Sequence, residues 1–259
     1  MIASPILSNF ERQQQLLALL ASQQRLTVAQ ICEQFSISEA TARRDLEQLA
    51  ELGLLQRVHG GAIAVRRAAP EMPILVRSQE QADEKSRIGK AAAALIADGE
   101  TVFLGSGTTV LEVARNLLER RNLTVITNSL PVINALAGVQ QIQVVAMGGM
   151  LRDSELSFIG HITEQALAEV RADKVILGTR ALDLEHGLMN DYLPETLTDR
   201  ALLRCGREIV IVVDHTKLGC VSTAFLAPLS SVHKIVTDQG ASQEFLAALQ
   251  EQGIQVIAA

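Results

Sequence analysis

Residues 38–62 read SEATARRDLEQLAELGLLQRVHGGA, and this stretch decides the fold of the first part of the chain. Ser38 is a good helix N-cap, and Gly53 follows at the point where the helix would end. At about 100° per residue, one face of this helix is apolar and the opposite face is polar. The polar and flanking side chains are Thr41, Arg43, Arg44 and Gln48. The pattern predicts a helix that packs on one side and leaves polar groups accessible on the other.

The preceding sequence predicts the rest of a helix-turn-helix. Apolar residues at helical spacing indicate helices at 10–22 and 27–35, and residues 36–38 form a short turn into the next helix. Arginine donors on the accessible face of such a helix reach guanine edges and phosphates in the major groove. The alternative is a helical bundle in which the arginines contact only solvent.

The sequence after Gly53 predicts a small β wing. Two short strands are expected at 54–58 and 62–65, because His59, Gly60 and Gly61 between them suit a tight turn with positive φ. His59 would then either contact a DNA phosphate or serve only the hairpin. The predicted fold is a winged helix-turn-helix domain. Its expected DNA contacts are Ser38, Thr41, Arg43, Arg44, Gln48, Arg57, His59 and Gly60.

These residues carry a resemblance to a known family. The matching positions are Arg12, residues 26–28, Ser38, residues 41–46, Gly53 and residues 57–62. Together they resemble the N-terminal signature of the DeoR family of bacterial transcriptional regulators. The resemblance implies a regulator that binds double-stranded operator DNA.

The charge of the chain is unevenly distributed. The 259 residues are 48% hydrophobic and carry a net charge of −6, but residues 1–67 carry +1 and the acidity lies in the remainder. We predict a DNA-binding domain at 1–65, a linker at 66–82 containing Pro70 and Pro73, and a larger domain at 83–259. A nearly neutral DNA-binding domain binds weakly alone, so a homodimer or homotetramer is expected.

Several classes of protein are disfavoured by the composition. Cys32, Cys205 and Cys220 are an odd number without metal-ligand spacing, and we expect reduced thiols in the core rather than disulfides. The five histidines are scattered, so neither a metal site nor a cofactor is expected. No secretion leader and no long apolar run is recognised, which favours a cytoplasmic protein without membrane contact.

Beyond residue 82, short apolar runs alternate with helical patterns. The expected strands are 101–104, 124–127, 143–147, 174–177, 209–213, 234–237 and 255–257, and the expected helices are 88–97, 109–121, 130–137, 161–170, 198–206 and 242–252. Strands rich in Val, Ile and Leu, each followed by a helix, predict a doubly wound, mostly parallel sheet covered on both faces. The fold class is therefore a two-domain α/β protein.

Residues 105–109, GSGTT, form the candidate anion site of this domain. They follow an apolar strand and open a helix, where backbone N–H groups, hydroxyls and the helix dipole favour a phosphate. The loop lacks a Walker lysine and the third glycine of a dinucleotide fingerprint, so nucleotides are disfavoured. A purely structural turn is the alternative.

The second domain also resembles the DeoR family. The matching positions are Glu84, Lys85, Ile88, residues 106–109, Thr127, Asn128, Gly148, Gly149, Arg152, Gly160, residues 172–174, Gly178, Gly187, Leu188, Glu195 and residues 214–217. They are similar to the DeoR-family sensor domain, which resembles sugar-phosphate isomerases of the ribose-5-phosphate isomerase type. The resemblance implies a phosphorylated sugar or related metabolite as effector, whose binding relieves repression of a carbohydrate-metabolism operon. The implied effector site comprises Gly105, Ser106, Gly107, Thr108, Thr109, Thr127, Asn128, Gly148, Gly149, Arg152, Arg180, Glu195 and Lys217.

Three positions depart from the family pattern. Gly105 stands where an aspartate is common, Ala181 where a glycine is common, and Asp199 where a lysine is common. The departures leave the anion loop intact but affect the expected contacts to the sugar ring. Arg180, beside Ala181, would either supply the missing positive charge or face solvent.

A sugar-phosphate isomerase is the alternative function. Such an enzyme needs a carboxylate placed to move a proton between carbons. Residues 177–181, LGTRA, contain none where an isomerase of this kind carries an acidic run. Asp191, Glu195 and Asp214 remain as candidate bases, but loop and strand-end positions explain them more simply. We therefore expect no catalytic residues.

Overall fold

The computed structural model describes residues 8–23 and 25–259, so that residues 1–7 of the predicted first domain lie outside the described part. The chain divides into two compact units, and the boundary in the sequence lies between Arg66 and Arg67. The segment predicted as a linker, 66–82, belongs to the second unit from Arg67 onward. This segment also contains a short helix, Ile74–Arg77.

The first unit is the predicted winged helix-turn-helix. Its elements are α1 Asn9–Gln23, β1 Arg25–Thr27, α2 Val28–Phe35, α3 Glu39–Glu51, β2 Leu55–Val58 and β3 Gly61–Ala64. The three strands form an antiparallel sheet in the order β1-β3-β2, in which β1 was not predicted. Leu16, Leu20, Ile31, Leu46 and Leu49 form the centre of its core.

Local side chains fix where these helices begin and end. Thr27 caps α2 through a capping box with Gln30, and Ser38 caps α3 by accepting from the backbone N–H of Thr41. Ser36 ends α2 in the left-handed conformation, with φ of 53°. The turn between the two helices is therefore bounded by the left-handed backbone of Ser36 and by the side-chain cap of Ser38.

The two glycines of the wing have different roles. Only Gly60 has a positive φ, 80°, in the two-residue turn between Val58 and its partner Gly61. Gly61 is required by packing, since a Cβ there would lie 2.0 Å from the carbonyl oxygen of Leu26. The expectation that both glycines supply positive φ was therefore wrong for Gly61.

The second unit contains the remaining elements. After β4 Arg66–Arg67, at the junction, they are α4 Ile74–Arg77, α5 Ala82–Ala93, β5 Thr101–Leu104, α6 Thr108–Arg115, β6 Leu123–Thr127, α7 Leu130–Leu136, β7 Ile142–Ala146, β8 Met150–Arg152, β9 Ser157–Ile159, α8 His161–Ala168, β10 Ala172–Leu177, β11 Ala181–Asp183, β12 Gly187–Asn190, α9 Leu193–Cys205, β13 Gly206–Val212, β14 Cys220–Val221, β15 Ala224–Ala227, β16 Lys234–Thr237, α10 Gln243–Glu251 and β17 Gln255–Ala258. Two 3-10 turns lie at His215–Lys217 and Leu229–Ser231.

Seven strands form the parallel sheet predicted from the sequence. Their order is β17-β16-β13-β10-β5-β6-β7, and every neighbouring pair is parallel. Two apolar clusters cover the two faces, one around Phe103 and Val175 and the other around Val102 and Ile176. The chain winds in opposite directions from β5 and β10, so the crevice between their carboxyl ends is the topological switch point.

All seven predicted strands and six predicted helices of this unit are present, with shifted ends. α5 begins six residues before the predicted start at 88, and α6 ends at Arg115 instead of 121. α9 begins at Leu193 because Pro194 suits the first turn of a helix. The antiparallel hairpin β8-β9 and the three-stranded sheet β11-β12-β15 were not predicted.

The cysteine thiols lie as expected in two of three cases. Cys205 and Cys220 are buried, with their thiols directed at the carbonyl oxygens of Leu202 and Thr216. Cys32 is only half-buried, against the core of the first unit. Within the described ranges, no helix is long and apolar enough to cross a bilayer.

Candidate DNA-binding surface and effector cavity

The accessible face of α3 carries the expected arginines. Arg43 and Arg44 are both exposed, and Arg43 makes a solvent-exposed ion pair of 3.3 Å with Glu39. Arg44 has no ion-pair partner among the residues that the structure describes. Its guanidinium group is therefore available to a ligand, and Thr41 lies half-buried beside the Ser38 cap.

The remaining predicted contacts lie on the wing and on the far end of α3. Arg57 of β2 is exposed and lies 3.6 Å from Glu47, while His59 and Gly60 form the exposed tip of the wing. Gln48 is turned toward α1, where its amide oxygen accepts from Gln13 at 2.7 Å. Gln48 is therefore exposed, but its side chain also links α3 to α1.

A buried ion pair beneath α3 was not predicted. Asp45 is 2% exposed, and its carboxylate accepts two bonds from Arg12 of α1, at 2.6 and 3.0 Å. Asp45 also holds the pKa of Arg12 above its usual value, mainly through this hydrogen bond. The pair joins α1 to α3, and removal of either partner would leave a buried charge uncompensated. In the sequence, the only sign of this ion pair was the acidic Asp45 within the apolar face of a helix.

A cavity of about 280 Å³ lies at the switch point of the parallel sheet. Its walls come from the loops that follow β5, β10 and β13, together with α9 and residues of the segment 71–85. Ligands of open α/β sheets bind at this place because the loops there diverge to opposite faces.

The loop after β5 brings an anion-binding geometry to the cavity. Gly107 has a φ of 114° and precedes α6, so the first backbone N–H groups of α6 are directed at the cavity wall. Thr108 and Thr109 are buried in the first turn, and the hydroxyl of Ser106 donates to Glu195 at 3.4 Å. Lys85 and Lys217 line the same cavity and add positive charge.

Gly105 lies behind this loop rather than in the cavity wall. A Cβ at Gly105 would lie 2.6 Å from the Cδ1 atom of Leu177, at the end of neighbouring β10. The glycine therefore allows the ends of β5 and β10 to pack closely.

Arginine and carboxylate side chains form a network around the cavity. Arg152 binds both Glu195 and Glu71, and Arg77 binds Glu155. Arg180 donates to Asp191 at 3.0 Å and to the carbonyl oxygen of Ala69. Arg180 is therefore buried and paired, and does not face solvent. Glu71 lies between Arg77, Arg152 and Arg180, at distances of up to 4.0 Å.

Burial is the largest influence on the pKa values of three acidic groups around the cavity. It raises the pKa of Glu155 to about 7, even though Arg77 favours the charged form. Burial also raises the pKa of Glu195, opposed by Arg152, and that of Asp199, where the charge of Glu195 adds to the effect. The cavity therefore contains carboxyl groups whose charge is costly unless a ligand compensates it.

Two buried polar atoms of the cavity residues lack a hydrogen-bond partner in the described chain. One is a donor, the Nε atom of Arg77, and the other is an acceptor, the Oδ1 atom of Asp199. The other carboxylate oxygen of Asp199 accepts from Asn190 at 2.8 Å. Unsatisfied buried groups are rare in folded proteins and indicate a missing partner.

About half of the predicted effector-site residues line this cavity. Those that do are Ser106, Gly107, Thr108, Thr109, Arg180, Glu195 and Lys217. Gly105, Thr127, Asn128, Gly148, Gly149 and Arg152 are not among the lining residues, although Arg152 holds Glu195 from behind.

The strand-end residues outside the cavity have structural contacts. Thr127 and Asn128 are 0% exposed, and the Asn128 amide donates to the carbonyl oxygen of Phe158 at 3.1 Å. Gly148 accepts from the hydroxyl of Thr163, and a Cβ on Gly149 would lie 2.1 Å from the same hydroxyl. These residues position the β8-β9 hairpin, which carries Glu155 toward the loop at Gly107.

Sequence reasoning missed Glu71, Arg77 and Glu155 as cavity residues. The first two lie in the segment that its prolines marked as a linker, and Glu155 lies in a hairpin without a strong strand pattern. Only long-range packing brings them to the cavity. Among residues 8–23 and 25–259, no three His, Cys, Asp or Glu side chains are placed to hold a metal ion.

Comparison with known proteins places both units in one family. A DeoR-like helix-turn-helix domain matches residues 12–68, and the DeoR C terminal sensor domain matches residues 80–239. The transcriptional repressor AccR of Agrobacterium fabrum strain C58 is 37% identical, over 90% of this chain and 91% of that protein. The glycerol-3-phosphate regulon repressor of Escherichia coli K12 is 33% identical, over 95% of this chain and 97% of that protein.

Among solved structures, ribose 5-phosphate isomerase A of Methanocaldococcus jannaschii is similar over 54% of this chain and 55% of that chain. Its TM-score is 0.40 at 20% identity. The two repressors, by contrast, match along nearly their whole length and are regulators rather than enzymes. Because the match to the sensor domain covers residues 80–239, more than half of this chain, the chain belongs to the DeoR family of DNA-binding transcriptional regulators.

Proposed function

We propose that this chain is a repressor of a carbohydrate-metabolism operon and that a phosphorylated sugar or related metabolite releases it from its operator. The observation that carries the proposal is the cavity at the switch point, with the N-terminus of α6, Ser106, Lys85 and Lys217 in its wall. A dianionic phosphate is the ligand group that this combination of backbone donors and lysines favours.

The relatives support the same class of effector. One is named as the glycerol-3-phosphate regulon repressor, and glycerol 3-phosphate is a phosphorylated three-carbon polyol. A cavity of about 280 Å³ is at the small end of ligand cavities, which are typically about 300–1,000 Å³. The effector is therefore a small metabolite carrying one phosphate.

DNA binding is assigned to the arginine face of α3 and to the wing. The contacts proposed from the sequence are those of Thr41, Arg43, Arg44, Arg57 and His59, which are at least partly accessible in the first unit. Since residues 1–67 carry a net charge of only +1, we place two or more chains on one operator. Light scattering of the purified protein measures this self-association directly.

The segment 68–81 is the proposed route from the cavity to the DNA-binding unit. It follows that unit directly in the chain, and it contributes Glu71 and Arg77 to the cavity. An effector phosphate competes with Glu71 for Arg77 and Arg180, which line the cavity. Binding of the effector therefore changes the contacts that hold this segment.

A substitution at Gly107 tests the position of the phosphate. Gly107→Val puts a branched side chain where backbone donors approach the cavity, so operator DNA should still bind but no longer be released by the effector. The matched control is Gly99→Val, since Gly99 also has a positive φ, 84°, and lies in an exposed turn outside the cavity. Both changes carry backbone strain, about 1–2 kcal/mol for the positive φ of Gly99 and about 1–3 kcal/mol for Gly107, whose φ of 114° and ψ of 155° are adopted almost only by glycine.

The measurement is fluorescence anisotropy of a labelled fragment from the chromosomal neighbourhood of the gene, titrated with sugar phosphates. Release in the wild type and in Gly99→Val, but not in Gly107→Val, supports the proposal. If Gly107→Val still releases the fragment at the same effector concentration, the phosphate does not bind at this loop.

A further inference from the structure

The two unsatisfied atoms of the cavity have opposite requirements. Arg77 Nε needs an acceptor and Asp199 Oδ1 needs a donor, and both residues line the same cavity. A phosphate supplies acceptors for the arginine, but it supplies no donor for the carboxylate. One ligand satisfies both only if it carries a donor group in addition to the phosphate.

The charges around Asp199 show which kind of donor fits. No lysine or arginine of the described residues lies within ion-pair distance of Asp199, which is 4% exposed. The nearby guanidinium groups are engaged elsewhere, Arg152 with Glu195 and Glu71, and Arg77 with Glu155. Asp199 is therefore a buried carboxyl group without a protein counter-charge.

Neighbouring carboxyl groups make a negative charge on Asp199 still less favourable. Glu195 is one helical turn before Asp199 on α9, and both Glu195 and Glu155 line the same cavity. Burial and these like charges raise the pKa of Asp199 well above its usual range. Without a cation nearby, burial therefore favours the neutral carboxyl form. A ligand hydroxyl supplies a hydrogen bond but does not stabilise the charged form, whereas an ammonium group donates a hydrogen bond and also compensates the carboxylate charge.

We infer that Asp199 selects effectors bearing an ammonium group, so that the effector is a phosphorylated amino sugar or amino polyol. The inference rests on the proposed function, because it places the phosphate of the same ligand at the loop after β5. The distance between the two groups is suitable for a small metabolite. Ser106 of that loop contacts Glu195, and Glu195 lies one turn from Asp199, with Cβ atoms about 5–6 Å apart in such a pair.

Matched ligand pairs test the inference on the full-length protein. Glucosamine 6-phosphate and glucose 6-phosphate differ only in an amine for a hydroxyl, as do the galactose and mannose pairs and the short pair phosphoethanolamine and ethylene glycol phosphate. Calorimetric titration at neutral pH, with inorganic phosphate as the reference ligand, gives the affinity ratio within each pair. In at least one pair, we expect the amine to bind about tenfold more tightly, as a charged hydrogen bond exceeds a neutral one.

The variant Asp199→Asn keeps the shape of the side chain and removes its charge. The preference for the amine, measured as the affinity ratio within a pair, should fall to less than about threefold in this variant. Equal affinities within every pair in the wild type, or a preference that persists in Asp199→Asn, overturn the role of Asp199. If Asp199→Asn does not fold, the wild-type ratios decide alone.

The same titrations separate the two proposals. Binding of phosphate and of the hydroxyl ligands without any amine preference leaves the phosphate site intact and overturns only the ammonium selectivity. Failure of every phosphorylated ligand and of inorganic phosphate to bind overturns both. A purely structural role of Asp199 changes stability but does not change the ratio within a pair.

Discussion

At the scale of single residues, the arginines of α3 differ in what they contact. Arg43 is engaged by Glu39 one turn earlier, whereas Arg44 is exposed and unpaired among the described residues. An exposed ion pair is worth little, so both remain accessible to DNA, but Arg44 loses no protein contact on binding. Its accessibility was predicted from helical periodicity alone, because the face of a helix follows directly from residue spacing.

Replacement of Arg44 tests whether this face reads the operator. Arg44→Ala should weaken specific operator binding by about 1–3 kcal/mol, the usual value of a good contact to a base. The control is Arg204→Ala, which removes the same charge from an exposed position of the second unit. Anisotropy titrations at constant salt measure both variants. Equal affinities for Arg44→Ala and wild type would show that another surface reads the DNA.

Glu155 makes the stability of the second unit depend on pH. Its pKa is raised from 4.5 to about 7 by burial, so the folded state binds the proton more tightly than the unfolded state does. The stabilisation is therefore complete below pH 4.5 and is lost as the pH rises through about 7. Neither the burial nor the neighbouring Arg77 could be predicted, because both depend on the position of the β8-β9 hairpin.

The variant Glu155→Gln isolates this dependence. Between about pH 5.5 and about pH 8, the wild type should lose about 2 kcal/mol more stability than the variant. Urea unfolding of both proteins at the two pH values measures the difference, with Glu119→Gln as the control, since Glu119 is exposed. Parallel pH profiles for wild type and Glu155→Gln would mean that Glu155 does not titrate in this range.

At the scale of elements, helices and strands with a strong hydrophobic pattern were predicted correctly, whereas those with a weak pattern were not. The buried parallel strands were predicted because each is a run of apolar residues that must be covered on both faces. The strands β1, β8, β9, β11, β12 and β15 were missed; each has three or four residues and lies in a small antiparallel sheet outside the parallel one. Their pairing is decided by partners distant in sequence, such as β1 with β3. The cavity was only partly predicted, because one wall comes from such a hairpin.

The wing provides a test of one of these missed pairings. Gly61 of β3 lies against the backbone of β1, where an added Cβ would meet Leu26 at 2.0 Å and Thr27 at 2.8 Å. Gly61→Ala should therefore destabilise the first unit by about 3 kcal/mol, because backbone atoms must move. Gly60→Ala is the control, since it has open space around it and only the strain of a positive φ, about 1–2 kcal/mol. Thermal unfolding should show a lower midpoint for Gly61→Ala, and the reverse order would contradict the observed packing.

At the scale of the whole molecule, the two functions are linked through one covalent segment. Residues 68–81 follow the DNA-binding unit and are part of the sensor unit, where Glu71 meets three arginines. The prolines of this segment led to its prediction as a linker, because prolines interrupt periodic structure without revealing tertiary contacts. In the proposed mechanism the coupling between the two sites must be reciprocal, so that operator DNA and effector weaken each other by the same factor.

Glu71→Gln tests whether this segment carries the coupling. The variant keeps the side-chain shape but removes the charge that the effector phosphate displaces, so the effector should bind at least as tightly while releasing DNA less effectively. We expect the coupling free energy to fall by about 1 kcal/mol or more. Glu80→Gln is the matched control, since Glu80 also lines the cavity and lies in the same segment, but it is exposed and has no arginine partner in the described chain. The measurement is the operator affinity with and without effector, and the effector affinity with and without operator. Unchanged coupling in Glu71→Gln would mean that the effector acts on DNA binding by another route, such as the arrangement of chains in the oligomer.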